Sequence, residues 1–132
     1  MLKQLSIYAE NKKGALQTMT NALYEAGINI WGSVTNDGAE YGINRMVVSD
    51  PDKAKEVLTE KGYLCRFVDV LAVEIEDKPG ALNTLLTALL DSNVNVDYTY
   101  LSFNRDSSTP VMILHTADPE EVEICLRAKG FK

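Results

Sequence analysis

Residues 76–96 read EDKPGALNTLLTALLDSNVNV, and residues 10–30 read ENKKGALQTMTNALYEAGINI. Slid by 66 positions, the two stretches agree at nine of 21 places, where composition alone would give roughly one or two. The matches are Glu10/Glu76, Lys12/Lys78, Gly14/Gly80, Ala15/Ala81, Leu16/Leu82, Thr18/Thr84, Ala22/Ala88, Leu23/Leu89 and Asn29/Asn95. Further along the offset becomes 68: Asp50-Pro51 answers Asp118-Pro119, and Gly62-Tyr63 answers Gly130-Phe131. The two extra residues of the second copy belong between Asn95 and Pro119. The loop Asn104-Arg105-Asp106-Ser107-Ser108, set against the tighter Asn36-Asp37-Gly38, is the place for them. Such self-similarity is the mark of a repeated structural unit, here of about 65 residues.

Each copy spells the same order of elements. Leu5, Ile7 and Ala9 alternate with polar residues, as do Leu71, Val73 and Ile75, which predicts an opening strand. After a short loop with a glycine, Leu16, Met19, Leu23 and Ala26 mark one helical face, and Leu82, Leu85, Leu86 and Leu89 mark its counterpart. A second strand follows (Ile28 to Thr35; Val94 to Phe103), then a turn and a third strand (Tyr41 to Val48; Val111 to Thr116). Val111-Met112-Ile113-Leu114 is apolar on both faces and suits a central strand. Asp50 and Asp118 read as N-caps of a second helix, Pro51 and Pro119 as its first residues, and Glu121 as completing a capping box with Asp118. Gly62 and Gly130 stop these helices. Tyr63 to Phe67 makes a fourth strand that runs almost directly into the second copy.

The order is βαββαβ, an α+β, ferredoxin-like split βαβ unit, written twice. The boundaries expected are 1–68 and 69–132, held rigidly for want of a linker. The second copy stops two residues after Gly130, so its fourth strand is expected to be short or missing. The bare edge this leaves is either covered, by another chain or by the first unit, or a short exposed strand.

The chain has 132 residues, 13 basic and 19 acidic, for a net charge of −6. That sign argues against a duplex-DNA or membrane-surface binder. No apolar run approaches the roughly eighteen residues of a membrane span, and no leader peptide is recognisable at the N-terminus. Cys65 and Cys125 stand far apart, which fits a reducing cytoplasm.

Catalytic parts are scarce. The single histidine, His115, falls in a strand, where a packed or surface role is the commoner one. The cysteines form no CxxC pair and read as small apolar fillers. No cluster has metal spacing, and the phosphate-loop and dinucleotide signatures are absent, so no catalytic residue, metal or cofactor is expected. The carboxylates Asp118, Glu120, Glu121 and Glu123 read as capping and a solvated helix face. An RNA-recognition module would need stacking aromatics, and Val70 to Ile75 carries none.

The glycine loops are the exception. Gly80 can turn tightly and let a ligand approach its backbone, and the amides of Gly80, Ala81 and Leu82 sit where a helix start would attract a carboxylate. Fifteen residues on, Asn29 and Asn95 can both donate and accept at the head of the next strand. Together these groups could hold a zwitterion, its ammonium on carbonyls, Asn95 or Asp77. On the residues alone, a plain cap and a turn asparagine account for them equally well.

The pattern DxPGxL, with the asparagine of an INI or VNV strand fifteen residues past its glycine, resembles the ACT domain, nearly over the whole chain and twice. In particular it is similar to the small stand-alone tandem ACT proteins. The resemblance implies amino-acid-binding regulatory modules that pair side by side along their second strands, the ligand touching the glycine loop of one module and the second strand of the other. One site would then combine Asp77, Gly80, Ala81 and Leu82 with Asn29, Ile30 and Trp31; the other, Asn11, Gly14, Ala15 and Leu16 with Asn95, Val96 and Asp97. Copy one departs from the motif at Asn11 and Lys13, so unequal sites are expected. Trp31 is either a lid on the ligand or ordinary sheet packing. The implied function is a non-catalytic cytoplasmic sensor of a free amino acid, homodimeric, signalling to a partner enzyme or regulator, with no nucleic acid and no membrane. The alternative is a regulatory subunit or interaction protein that works through its sheet edges.

Overall fold

The computed structural model describes residues 1–36 and 41–132. The turn expected at Asn36-Asp37-Gly38 therefore lies, from Asp37 on, outside the described residues. The elements run β1 (Leu2–Glu10), α1 (Ala15–Glu25), β2 (Ile30–Asn36), β3 (Tyr41–Val48), α2 (Pro51–Glu60), β4 (Leu64–Glu74), α3 (Ala81–Asp91), β5 (Val96–Phe103), β6 (Pro110–Thr116) and α4 (Pro119–Ala128). The chain divides into two compact units, Lys3–Val68 and Asp69–Lys132, the latter including Met1–Leu2. The division falls inside β4, which is one strand of 11 residues.

In the first unit the strand order is β2-β3-β1-β4. β1 and β2 both pair antiparallel with β3, through Leu5↔Met46 and Ser33↔Met46 among others. Leu5, Ile7, Met46 and Val48 close over Met19, Ala22 and Leu23 of α1 and Ala54 and Leu58 of α2, a single core. In the second unit the order is β4-β6-β5, antiparallel throughout. Leu71, Val73, Met112 and Leu114 form its core with Leu85 and Leu89 of α3 and Val122 and Leu126 of α4. The first unit is the βαββαβ arrangement that the repeat predicts, an α+β ferredoxin-like unit; the second repeats it as βαββα, with no strand after α4 among the described residues. Phe131 and Lys132 follow α4, and the Lys132 carbonyl accepts from the Glu74 amide at 3.1 Å.

Some details depart from the pattern in the sequence. Both second strands start two residues later than expected, because Gly27 (φ 74°) and Asn93 (φ 59°) take the left-handed conformation and close the preceding helix. Ile28 and Val94 then donate back to Leu23 and Leu89, at 3.0 and 2.9 Å, the Schellman closure. Leu16 (46% exposed), Leu82 (37%) and Leu86 are not in the core. Leu16 and Leu82 stand in the first turn of their helices, and Leu86 lies about 80° round the helix from the middle of the Leu85–Leu89 seam. On β1 the polar residues Gln4 and Ser6 are as buried as Leu5 and Ile7. Gln4 Nε2 meets Ser6 Oγ at 3.3 Å, so burial there does not leave the pair unsatisfied.

The Asp-Pro helix starts also differ. Asp50 caps α2, its carboxylate accepting from the Lys53 amide at 3.2 Å. Asp118 holds the N-cap place of α4 in the left-handed conformation (φ 52°) and makes no side-chain cap bond, so the expected capping box with Glu121 does not form. The preceding residue accounts for this. Ser49 is tied to Asn29 twice, amide to carbonyl at 2.9 Å and hydroxyl from amide at 3.0 Å. Its counterpart Ala117 has no hydroxyl with which to fix the approach.

Candidate functional site

The two glycine loops have one geometry. Gly14 and Gly80 stand at φ 84° and 86° as the N-caps of α1 and α3. Behind each, an i→i−2 contact joins Lys12 N to Glu10 O at 3.0 Å and Lys78 N to Glu76 O at 3.1 Å. Ala15 N donates to Lys12 O and Ala81 N to Lys78 O, both at 3.2 Å. The lysines also bridge to Glu10 and Glu76, at 3.2 and 2.7 Å, and the Lys78 ammonium holds the Glu76 carboxyl below its usual range. Lys13 in place of Pro79 therefore leaves the loop's backbone unchanged. The expectation that Ala81 offers a free amide is corrected by its bond to Lys78. Helix geometry leaves the amides of Leu82 and Asn83 without an intrahelical acceptor.

In the second unit the loop borders a cleft of about 740 Å³. Asp77, Lys78, Ala81, Thr84, Ser107, Thr109, Pro110, Gly130, Phe131 and Lys132 are among the residues that line it. In the first unit a cleft of about 420 Å³ is lined by Glu10, Lys12, Lys13, Gly14, Ala15, Thr18, Gly62 and Tyr63 among others. A smaller one, of about 230 Å³, shares part of that lining and also includes Asn11, Leu16, Thr35 and Asn44. Asn44 is buried there, with its amide on Thr35 Oγ1 at 2.8 Å.

Several lining residues escaped the sequence reading. Thr18 and Thr84 return their hydroxyls to the carbonyls of Gly14 and Gly80, at 2.9 and 3.0 Å. Their signal was the Thr18/Thr84 identity in the repeat. Likewise the Gly62-Tyr63/Gly130-Phe131 match marked residues of corresponding clefts. Asn44 carried no such signal, since its counterpart is Met112.

The strand-start residues lie elsewhere. Asn95 and Asp97 border a cleft of about 440 Å³ with Ser92, Val94, Asp118 and Glu121, and share no lining residue with the loop cleft. The 11 residues of α3 lie between, a rise of about 16 Å. In the first unit α1, also 11 residues long, separates Asn11, Gly14, Ala15 and Leu16 from Asn29, Ile30 and Trp31 in the same way. Within a unit the structure thus keeps loop and strand start apart. Both strand starts share a feature invisible in the sequence. The ladders shift register between Ile30 and Gly32 and between Val96 and Tyr98, leaving Trp31 and Asp97 as equivalent bulge residues. A bulge re-aims the side chain it carries. Asp97 accepts from Asn95 Nδ2 at 3.2 Å and lies 2.9 Å from His115 Nδ1.

The model of the ACT domain pair matches residues 1–129. The chain belongs to the ACT domain family, as a pair of ACT domains. A solved protein from Bacteroides thetaiotaomicron is 30% identical, covering 99% of this chain and 90% of its own, with a TM-score of 0.90. The ligand-free regulatory subunit of aspartate kinase from Thermus thermophilus is similar in fold, at 17% identity over 96% and 89% of the two chains and a TM-score of 0.70. That of Thermus flavus gives 20%, 97%, 91% and 0.62. No curated protein matches the chain. Among the described residues of this ACT pair, no helix is long and apolar enough to cross a membrane.

Proposed function

We propose that this ACT pair is a non-catalytic regulatory protein of the cytoplasm that binds a free amino acid. The ligand's carboxylate is received by the amides at the start of α1 or α3, beside Gly14 or Gly80, where the helix dipole favours an anion. Its ammonium and side chain meet the start of a second strand: Asn29, Ile30 and Trp31, or Asn95, Val96 and Asp97. Because loop and strand start stand at opposite ends of one unit, a ligand that touches both needs two units, in this chain or in a second copy as a homodimer. The output is a change in how ACT units are held together, passed to a partner enzyme or regulator.

The observation that carries this reading is the loop itself, built twice to the same conformation and hydrogen bonds around Gly14 and Gly80 in a chain of the ACT family. Calorimetry on the wild type and on the Gly14→Val/Gly80→Val double variant tests it. Loss of amino-acid binding in the variant, with the fold retained by circular dichroism, supports the site. Unchanged affinity sinks it.

A second reading has its own observation. β2 pairs only with β3 and β5 only with β6 among the described residues, and β5 exposes Leu101 and Phe103. Open edges with apolar side chains invite pairing with another chain, so the protein could act through them with no ligand. If Leu101→Lys abolishes self-association or partner capture while no amino acid binds, this second reading replaces the first.

A further inference from the structure

His115 is the only histidine in the chain, and its ring is held on two sides. Nδ1 lies 2.9 Å from Asp97 Oδ2, and the imidazole stacks flat on Tyr98, its cross-strand partner, with centroids 4.9 Å apart and planes 2° from parallel. Asp97 is the bulge residue, and its other oxygen accepts from Asn95 Nδ2 at 3.2 Å. An ionised carboxylate offers about four acceptor directions. Two are engaged among the described residues, and the Asp97 side chain remains 44% exposed.

We propose that His115 is a positioning residue of the second unit's strand start: it holds Asp97 ready for the ammonium group of the ligand, and its protonation weakens that binding. The ligand's identity rests on the amino-acid reading above; the pairing of a bound cation with Asp97, held by His115, does not. With the imidazole neutral, Nδ1–H donates to Asp97 and leaves the carboxylate its full charge for an incoming ammonium. Acidification puts a positive charge on the ring at the same 2.9 Å, where it competes with the ammonium for Asp97 and repels it. Tyr98 on β5 is the titratable group stacked on the ring, and the others that border the cleft of Asp97 are Asp118, Glu121 and Cys125 of α4 and its head. The imidazole is thus the basic group in this set. The first unit has Trp31 at the bulge and Val47 in place of His115, so the effect belongs to the second unit alone.

A single histidine gives one Hδ2 and one Hε1 imidazole signal by proton NMR, with no other histidine to overlap them, which makes the test direct. Ethylammonium chloride is titrated against sodium chloride at matched ionic strength, at pH 8 and pH 6, into the wild type, Asp97→Asn and His115→Gln. The twenty amino acids are then tested in the same way with calorimetry. The expected result is a saturable shift of the His115 signal by ethylammonium in the wild type and none in Asp97→Asn. Affinity should fall about threefold from pH 8 to pH 6, the scale of an exposed charge pair. His115→Gln, read by calorimetry, keeps a donor without the charge and should lose that pH dependence. Ethylammonium that moves the signal no more than sodium, or binds equally at both pH values, overturns the proposal. Amino acids that bind wild type and Asp97→Asn alike at both pH values also overturn it, while leaving the amino-acid reading intact. If no amino acid binds but ethylammonium still moves His115, the amino-acid reading fails and the role of the pair stands.

Discussion

Gly14 and Gly80, 66 positions apart in the sequence, occupy the same left-handed backbone conformation, φ 84°, ψ −4° and φ 86°, ψ −6°. A Cβ at either would meet nothing within 4 Å. A side chain is excluded by the backbone and not by a neighbour, and this separates the cost of strain from the cost of lost packing. Gly80→Ala should therefore destabilise the protein by about 1–2 kcal/mol, the penalty of a left-handed L-residue. Gly14→Ala should do the same within a few tenths. Urea denaturation checks this, with an unchanged m-value; a loss above about 4 kcal/mol would mean that the loop is packed more tightly than the structure shows.

The Asp-Pro starts of α2 and α4 give a second contrast. Asp50→Ala removes a cap bond and should cost about 1 kcal/mol. Asp118→Gly removes no cap bond and relieves a non-glycine residue at φ 52°, so it should be neutral or stabilising by up to about 1 kcal/mol. Thermal melts of the two variants decide it. Equal destabilisation by both would show that Asp118 caps α4 in solution.

Cys65 lies in the first unit's core, and burial pushes its thiol above the usual value of 9.0, against a smaller opposing pull from Lys55. At pH 8 the native Cys65 should react with a maleimide more slowly than Cys125, which is only partly buried. Mass spectrometry after timed labelling reads both sites. The raised value also fixes the sign of the stability effect. Folding keeps the proton on, so the contribution is complete below pH 9.0 and is lost as the pH rises through the folded-state value. Rapid labelling of Cys65 in folded protein contradicts the account.

Most of the fold could be read from the sequence, because a duplicated unit states its pattern twice. The glycine loops, the helix stops at Gly62 and Gly130 and the order of strands each carry a local chemical reason. What escaped depends on three-dimensional neighbours. Asp50-Pro51 and Asp118-Pro119 are the same dipeptide, yet only the first caps, where Ser49's hydroxyl also holds the Asn29 amide and Ala117 has none to offer. Leu16 and Leu82 have core spacing but stand in first turns next to the loops. The bulges at Trp31 and Asp97 follow from strand register, which no single strand's sequence records, and so the His115–Asp97 contact was not foreseen. The candidate residues themselves fall where the repeat put them, at loops and strand starts. What the sequence could not say is that each unit holds its two halves apart.

The central claim is that this ACT pair binds a free amino acid, and a thermal-shift screen of the purified protein against the twenty amino acids tests it most directly, with hits confirmed by calorimetry. A ligand at one hundred times its dissociation constant adds about 2.7 kcal/mol, a rise of several degrees for a protein of this size. The account predicts a selective rise with one amino acid or a small group of them, lost in the Gly14→Val/Gly80→Val double variant. No rise with any of the twenty, from protein whose melt is cooperative, would contradict it.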